Sequence, residues 1–567
     1  MPHPSIAHPP IAHPSIALPS AVALVLALGS QAVAQTGRTM TMQSPPRIGA
    51  AFAFGIAHPV AAAGNPYAVL WSAPYAGTSV PSIPGVTVAG AMRVDPLAFL
   101  APFAGVFSSA GVVAHSLQVA NDPALVGYAF DLQGVDLDAT NGVLSFCDDE
   151  LALVVFGVRV DWERRYEHGI AGHDSLRAID ADASGCVATG SSNGYIPGNP
   201  YQPYSYEIVT LRWSAAGALL WERRYNSPGS GFDDAGVAVD LAADGSVTVL
   251  GQGPGASGDQ DVILIRYDAS GAQQWLTRWS HNWSDSAVAM AIAGDGTIYV
   301  LASTYNAGSV TDIALLAFAP TGTLTWSRFF HGGYGTDVGV GLALDSLGNI
   351  DIGGYTVGPG GGTNLDWLAL EYDPSGNLLW SRTVVGSPTL PDYCWGMTVG
   401  PNDDVLLTGT LAANPSGYCA ASFDGAGNHL WTRALGVPGG APYCEIRGDA
   451  AGNVYFASST SVGSLDAGGN PRWQRSVSGQ ARALELDALG RVFVTSSAGV
   501  APNRQQFVFS AFDALGASLG GLVYGAANDD EFAPRGLVAI PGAVYAVGSS
   551  SNGHDNDGYA VRLTIRP

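Results

Sequence analysis

The sequence predicts an all-β protein: a β-propeller of four-stranded blades, eight in number with seven as the fallback, preceded by a small β-sandwich domain. Three observations predict it. Tryptophan recurs at a near-constant interval, glycine-bearing turns recur between strands of alternating polarity, and the last repeat lacks the one strand that the first has in excess. A unit of about 50 residues cannot bury its own apolar face and must stack on copies of itself; four short strands at that period make a propeller blade.

The tryptophans are Trp162, Trp221, Trp275, Trp326, Trp380, Trp431 and Trp473, separated by 59, 54, 51, 54, 51 and 42 residues. Most follow a turn written Asp268-Ala-Ser-Gly271, Pro320-Thr-Gly322, Asp373-Pro-Ser-Gly376, Asp424-Gly-Ala-Gly427 or Asp466-Ala-Gly-Gly469. Asp or Pro starts such a turn and Gly supplies its positive φ. A second hairpin precedes each of these, as in Val237 to Asp240, Asp244-Gly245, then Ser246 to Leu250. The same form recurs at Gly296, Gly348, Gly452 and Gly490, with looser versions at Gly185, Asp403 and Gly542. Period-two alternation and missing helix caps exclude a helical solenoid.

Strand counting explains the ends. Val160-Asp-Trp-Glu-Arg-Arg-Tyr166 is an outermost strand without preceding partners, and the last repeat stops after its third strand, Tyr559 to Ile565. Pairing the two completes a blade and removes exposed edges that invite aggregation. Eight blades follow, or seven if the short interval from Trp431 to Trp473 marks a collapsed one. Trp-x-Arg recurs at Trp162/Arg164, Trp221/Arg223, Trp326/Arg328, Trp380/Arg382, Trp431/Arg433 and Trp473/Arg475, a repetition that points to packing between sheets, not to a ligand. Gly520 takes the tryptophan position in the eighth copy, where looser packing is expected.

These residues resemble the bacterial SBBP-type β-propeller repeat: an Asp-led strand, an x-G turn, a Gly-ended strand and a terminal G-x-x-x-W run through residues 158–567, about seven tenths of the chain. The pattern is similar, more distantly, to PQQ-type propeller repeats through D-x-x-G-x-x-x-W. That likeness does not bring PQQ as a cofactor, since the sequence has no adjacent Cys pair and no recognisable calcium and quinone ligand set.

Residues 1–34 read as a signal peptide, with the apolar stretch Ala21 to Leu28 and the small-residue site Ala32-Val-Ala34, although Lys and Arg are missing before it. The apolar core is far short of the about 20 residues of a spanning helix, so no integral membrane segment is expected after its removal. A linker, 35–44, leads to the Pro- and Ala-rich segment 45–157, whose length and strand-like stretches suit a β-sandwich. Its Asn121, Leu125-Val-Gly127 and Gln133 resemble the core of a small module of secreted bacterial proteins, with Ala120 in place of the usual Pro. The resemblance implies an adaptor or anchor.

With 47 acidic against 24 basic residues, the net charge of −23 repels phosphate backbones, so nucleic acid is not expected as a partner. Five scattered cysteines carry neither a disulfide scaffold nor zinc-type spacing. Cys394 and Cys444 follow tyrosines at equivalent repeat positions and read either as a disulfide or as two buried free thiols.

Chemistry is expected on the longer connections, since binding groups sit on loops over a rigid scaffold. An acid recurs there in register: Asp174, Asp234, Asp285, Asp337 and Asp392 lie eleven residues before the inner turns, as does Glu531. Each caps backbone N–H groups where the innermost strand begins, or two or three of Asp234, Asp285 and Asp337 share a calcium ion. Beside them stand His168, His173, His281 and His331, with Trp279, Trp283, Phe330, Tyr334, Tyr393 and Trp395. Aromatic platforms and carboxylates suit a glycan, and His with Tyr334 would supply the base and acid of a polysaccharide lyase. The leading expectation is an exported, non-catalytic protein (secreted, cell-surface or periplasmic) whose propeller face binds a glycan or protein. The alternative is a propeller polysaccharide lyase or glycoside hydrolase.

Overall fold

The computed structural model describes the backbone of nine strands between residues 39 and 154 and, beyond them, residues 157–566 except 169–172, 194–205, 229–232, 282, 307–309, 334, 359–363, 413–416, 437–442, 501–503, 525–529 and 552–555. Two compact units divide the chain, one of residues 1–157 with 566–567 and one of residues 158–565. All regular structure among the described residues is strand, and no helix there is long and apolar enough to cross a membrane.

In the first unit, Thr39–Met42, Ala51–Ala57 and Val112–Gln118 form a three-stranded sheet. Thr87–Ala89, Val143–Phe146, Ala129–Asp138, Pro66–Ser72 and Leu100–Val106 follow one another in a second sheet, with Leu151–Val154 also paired to Ala129–Asp138. The segment from Val119 to Gly127 lies outside the described residues.

The described strands of the second unit make eight antiparallel sets of four. Seven are consecutive in the chain and span 173–225, 235–279, 285–330, 337–384, 393–434, 444–476 and 480–524. The eighth takes Asp530–Ile540, Ala543–Ser551 and Asn556–Arg566 from the C-terminal end and Gly157–Tyr166 from the other side of the unit. One parallel bridge, His173 to Asn556, connects the first set to the eighth.

Burial explains why residues with this pattern form sheets stacked face to face. The second strand of the second set, Val247–Pro254, is buried at all but one position. A strand covered on both faces must be apolar on both. The cores accordingly lie between sets: Ile208 and Trp221 pack with Val249, Ile263 and Tyr267, while Tyr299 and Leu315 pack with Ile352 and Leu370. Phe507 and Phe509 of the seventh set meet Val561 and Leu563 of the eighth, whose Tyr545 and Val547 meet Leu211 and Trp213 of the first. Burying each such side chain is worth about 1.5–3 kcal/mol. First strands of successive sets are in contact all the way along, and that of the eighth touches that of the first.

The tryptophans clamp one set to the next. Trp221 Nε1 donates to Ala269 O at 3.2 Å and Arg223 Nε to Gly271 O at 2.5 Å, both acceptors lying in the three-four turn of the following set. Gly271 has φ +80°, and a Cβ there would lie 2.8 Å from the Trp221 indole, so this turn needs glycine twice over. Trp162 with Ala215, Trp380 with Gly425 and Trp473 with Ala514 repeat the bond. Gly520 has a structural reason: it faces the eighth set, whose third and fourth strands come from distant parts of the chain and have no turn between them to clamp.

The sixth set accounts for the short tryptophan interval without losing a strand. Its strands are only five or six residues long, and the middle two are joined through Ser459-Thr460 with Ser459 at φ 49°. Cys394 and Cys444 are fully buried and form no disulfide, with Cys444 Sγ 2.9 Å from Thr408 Oγ1; Cys186 and Cys419 are also buried and outside any disulfide.

Candidate functional site

Because each set is an antiparallel ladder, its one-two and three-four turns leave from one end, and its two-three and set-to-set connections from the other. The turn end is compact. Asp403, at φ 61° where the other inner turns carry Gly, accepts bonds from Ser346 N at 2.8 Å and Ser346 Oγ at 2.7 Å in the preceding set, which offsets the strain of its backbone. Nearby, Asp351 and Glu371 face each other as cross-strand partners. Asp351 is 1% exposed, neither carboxylate oxygen has a hydrogen-bond partner, and burial followed by repulsion from Glu371, Asp345 and Asp403 pushes its pKa up to about 8.

The connection end carries most of the candidates. Asp174, Asp234, Asp285, Asp337 and Asp392 are all buried and hold the incoming chain by its backbone. Asp174 accepts from His168 N at 2.8 Å, Asp234 from Ser227 N at 2.7 Å, Asp285 from His281 N at 2.5 Å and Asp337 from Gly332 N at 2.6 Å. Asp392 takes three backbone N–H groups, those of Gly386, Ser387 and Ala412. Burial raises the pKa of the first four, in Asp285 to about 6. These carboxylates therefore serve the backbone, and each belongs to a separate connection. Glu531 lies in the strand Asp530–Ile540, with its side chain outside the described residues, as is Tyr334.

The histidines are distributed. His168 and His173 border the connection from the eighth set to the first, and His173 lines a depression of about 230 Å³ with Asp174, Arg177, Tyr206, Asp233 and Asp234. His281 stacks parallel to Trp279 at 6.1 Å, and its ring centre is 4.4 Å from that of Phe329. His331 Nδ1 lies 2.9 Å from Asp312 Oδ1. Trp283 is 59% exposed in the same connection as His281, with Tyr305 and Phe329 also exposed. Tyr393 stacks on Trp395 at 5.2 Å and meets Tyr355 edge-on at 5.6 Å.

A second row of acids escaped the sequence reading. Strand register places Glu207, Asp261, Asp312 and Asp366 at one equivalent position, each paired across to the second strand near the connection end. In the eighth set Asp557 holds that place opposite Ser550. In three sets an arginine of the fourth strand serves this position: Arg224 Nε reaches Glu207 at 2.8 Å, Arg278 Nη1 reaches Asp261 at 3.3 Å, and Arg165 Nη1 reaches Ser550 at 3.1 Å. Phe329 and Thr383 replace it in the third and fourth sets. Asp366 there has an unpartnered Oδ1 beside an unpartnered Asn364 Oδ1, and burial with the Asp392 charge lifts its pKa to about 6. The signal that would have found this row is the acid that opens the third strand in Gln260-Asp261 or Thr311-Asp312. Among the described residues the convergent metal-type group is Asp312, His331 and Asp337; Asp234 and Asp285 are not part of it.

No family model matches the chain. It is 30% identical over 145 residues to the regulatory protein FlaEY of Caulobacter vibrioides, a stretch that covers 23% of this chain and 14% of that protein. This chain thus spans about one seventh of the length of that curated relative. Among solved structures, Sqt1 from Chaetomium thermophilum aligns with a TM-score of 0.45 at 13% identity, over 71% of this chain and all of that one. Puromycin hydrolase aligns with a TM-score of 0.40 at 14% identity, over 66% of this chain and 58% of that one.

Proposed function

We propose that the second unit is a closed eight-bladed propeller with SBBP-type repeats, and that the chain is an exported, non-catalytic binding protein whose connection face takes a glycan. The observation that carries the glycan reading is the exposed aromatic group of Trp283, Tyr305 and Phe329 around the His281 connection. Flat apolar faces set among polar groups stack on sugar rings, and a large exposed tryptophan has no packing reason to be there. The contact of the eighth set with the first supports the closed propeller. The non-catalytic part draws support from the in-register aspartates, which accept hydrogen bonds from backbone N–H groups of the incoming chain.

The alternative, a polysaccharide lyase or hydrolase, has one observation in its favour: His173, Tyr206 and Arg177 line the same depression. Asp174, Asp233 and Asp234 share it, and three acids against one arginine oppose an anionic substrate. A glycan array with the parent protein and Trp283→Ala, followed by chromatography of any bound glycan, tests both readings. Binding lost in Trp283→Ala with the glycan recovered intact is expected. Shortened products abolished by His173→Ala would establish the enzyme instead.

A further inference from the structure

We infer that Asp312, His331 and Asp337 form a binding site for a divalent transition metal of the zinc type, with two carboxylates and one imidazole as ligands and a position left open to solvent. The site goes beyond the glycan reading and does not depend on it. Their candidate ligand atoms all lie within 4.8 Å of one another, and His331 Nδ1 is already 2.9 Å from Asp312 Oδ1. Ligands of a tetrahedral zinc, with bonds of about 2.0–2.2 Å, stand roughly 3.5 Å apart, so only a small closure is needed.

The repeat supplies the reason. In the first and second sets the third-strand acid is paired with a permanent cation, Arg224 to Glu207 and Arg278 to Asp261. In the third set the acid is kept as Asp312, and Phe329 stands at the arginine position. Asp312 and Asp337 then place two buried carboxylates beside one exposed histidine. A divalent ion offsets both. Asp337 is pre-oriented by Gly332 N and by the Thr356 hydroxyl, and His331 presents its ring from the surface. An imidazole in the set selects zinc, cobalt or nickel over calcium, which prefers oxygen ligands throughout. Zinc takes the neutral imidazole and ionised carboxylates, so affinity falls as pH is lowered.

The test uses the full-length protein, stripped with a chelator and titrated with Zn²⁺ calorimetrically, and with Co²⁺ by visible absorption. One equivalent is expected to bind, with the Co²⁺ band of a nitrogen- and oxygen-ligated ion, and His331→Ala is expected to weaken zinc by at least about tenfold. Because His331 is exposed, that variant keeps the fold. Asp366→Asn, in the next set and without a histidine, should leave the affinity unchanged. Absence of binding to the parent protein, or equal affinity in His331→Ala, overturns the assignment.

Discussion

Asp161 and Arg562 are 401 positions apart in the chain, yet Arg562 Nη1 donates to Asp161 Oδ2 at 2.5 Å across the pair of strands that completes the eighth set. Thr564 Oγ1 donates to the same oxygen, so one carboxylate joins the two ends of the second unit.

Asp161→Ala should therefore cost about 1.5–3 kcal/mol, the range for hydrogen bonds to a charged, partly buried group, read as a lower urea midpoint at unchanged slope. Deleting everything after Ser551 should do far more. It removes the buried Tyr559, Val561 and Leu563 and exposes two strand edges, so the product should elute as aggregate in size exclusion. A monomeric, cooperatively folded truncation would contradict the closure.

The inter-set clamp makes a second prediction. Trp221→Ala should cost about 3–5 kcal/mol by leaving a cavity at a set boundary and an unanswered carbonyl at Ala269. Gly271→Ala acts on the other half of the same contact, through its φ of +80° and the Trp221 indole, and should also destabilise by more than ~1 kcal/mol. Gly520→Trp should bring no matching gain, because the eighth set offers no three-four turn for an indole to meet. Urea unfolding of the three variants compares them directly.

Thiol chemistry provides a third. Cys186, Cys394, Cys419 and Cys444 are buried, and burial pushes each thiol up to about 12, so the reactive thiolate is scarce at neutral pH. Native protein should leave these four unlabelled by a maleimide over hours, and reductant should not change its Tm. Rapid native labelling at Cys394, or a Tm that falls with reductant, would contradict free buried thiols.

Much of the strand plan could be read from turns and tryptophans, because both repeat for a reason that acts within a few residues. Asp373 and Gly376 make a turn wherever they fall, and Trp380 marks the strand after it. The clamp was legible as packing but not as a bond to the next set's carbonyls, since that partner lies some 45 positions away, as with Trp380 and Gly425. The in-register acids were legible as caps for the same local reason. The row of Glu207, Asp261, Asp312 and Asp366 was not, because its meaning depends on which fourth-strand residue stands opposite the position two further along: Arg278 opposite Ile263 in one set, Phe329 opposite Ala314 in the next. Asp351 was invisible altogether, an acid in an apolar strand whose isolation shows only in three dimensions.

Asp351 makes the fourth prediction, a dependence of stability on pH. Its ordinary value is near 3.8 and the folded value is about 8, because burial disfavours the ionised form and Glu371, Asp345 and Asp403 repel it. Below about pH 4 the carboxyl is protonated in folded and unfolded chains alike and adds no slope. Between about 4 and 8 the folded chain keeps a proton that the unfolded chain has lost, so unfolding releases it and stability falls as pH rises, by up to about 1.4 kcal/mol per unit. Above about 8 both forms are ionised and the loss is complete. Asp351→Asn removes the titration while keeping the shape, so the variant should gain on the parent through this window, by on the order of a few kcal/mol at pH 9, and match it near pH 4. Glu371→Gln removes one of the charges that repel the Asp351 anion, so the folded value should drop and the window should narrow from its upper end. Urea unfolding at intervals from pH 4 to 9 separates these outcomes, and parallel profiles for parent and Asp351→Asn would show that Asp351 is ionised in the folded protein at neutral pH.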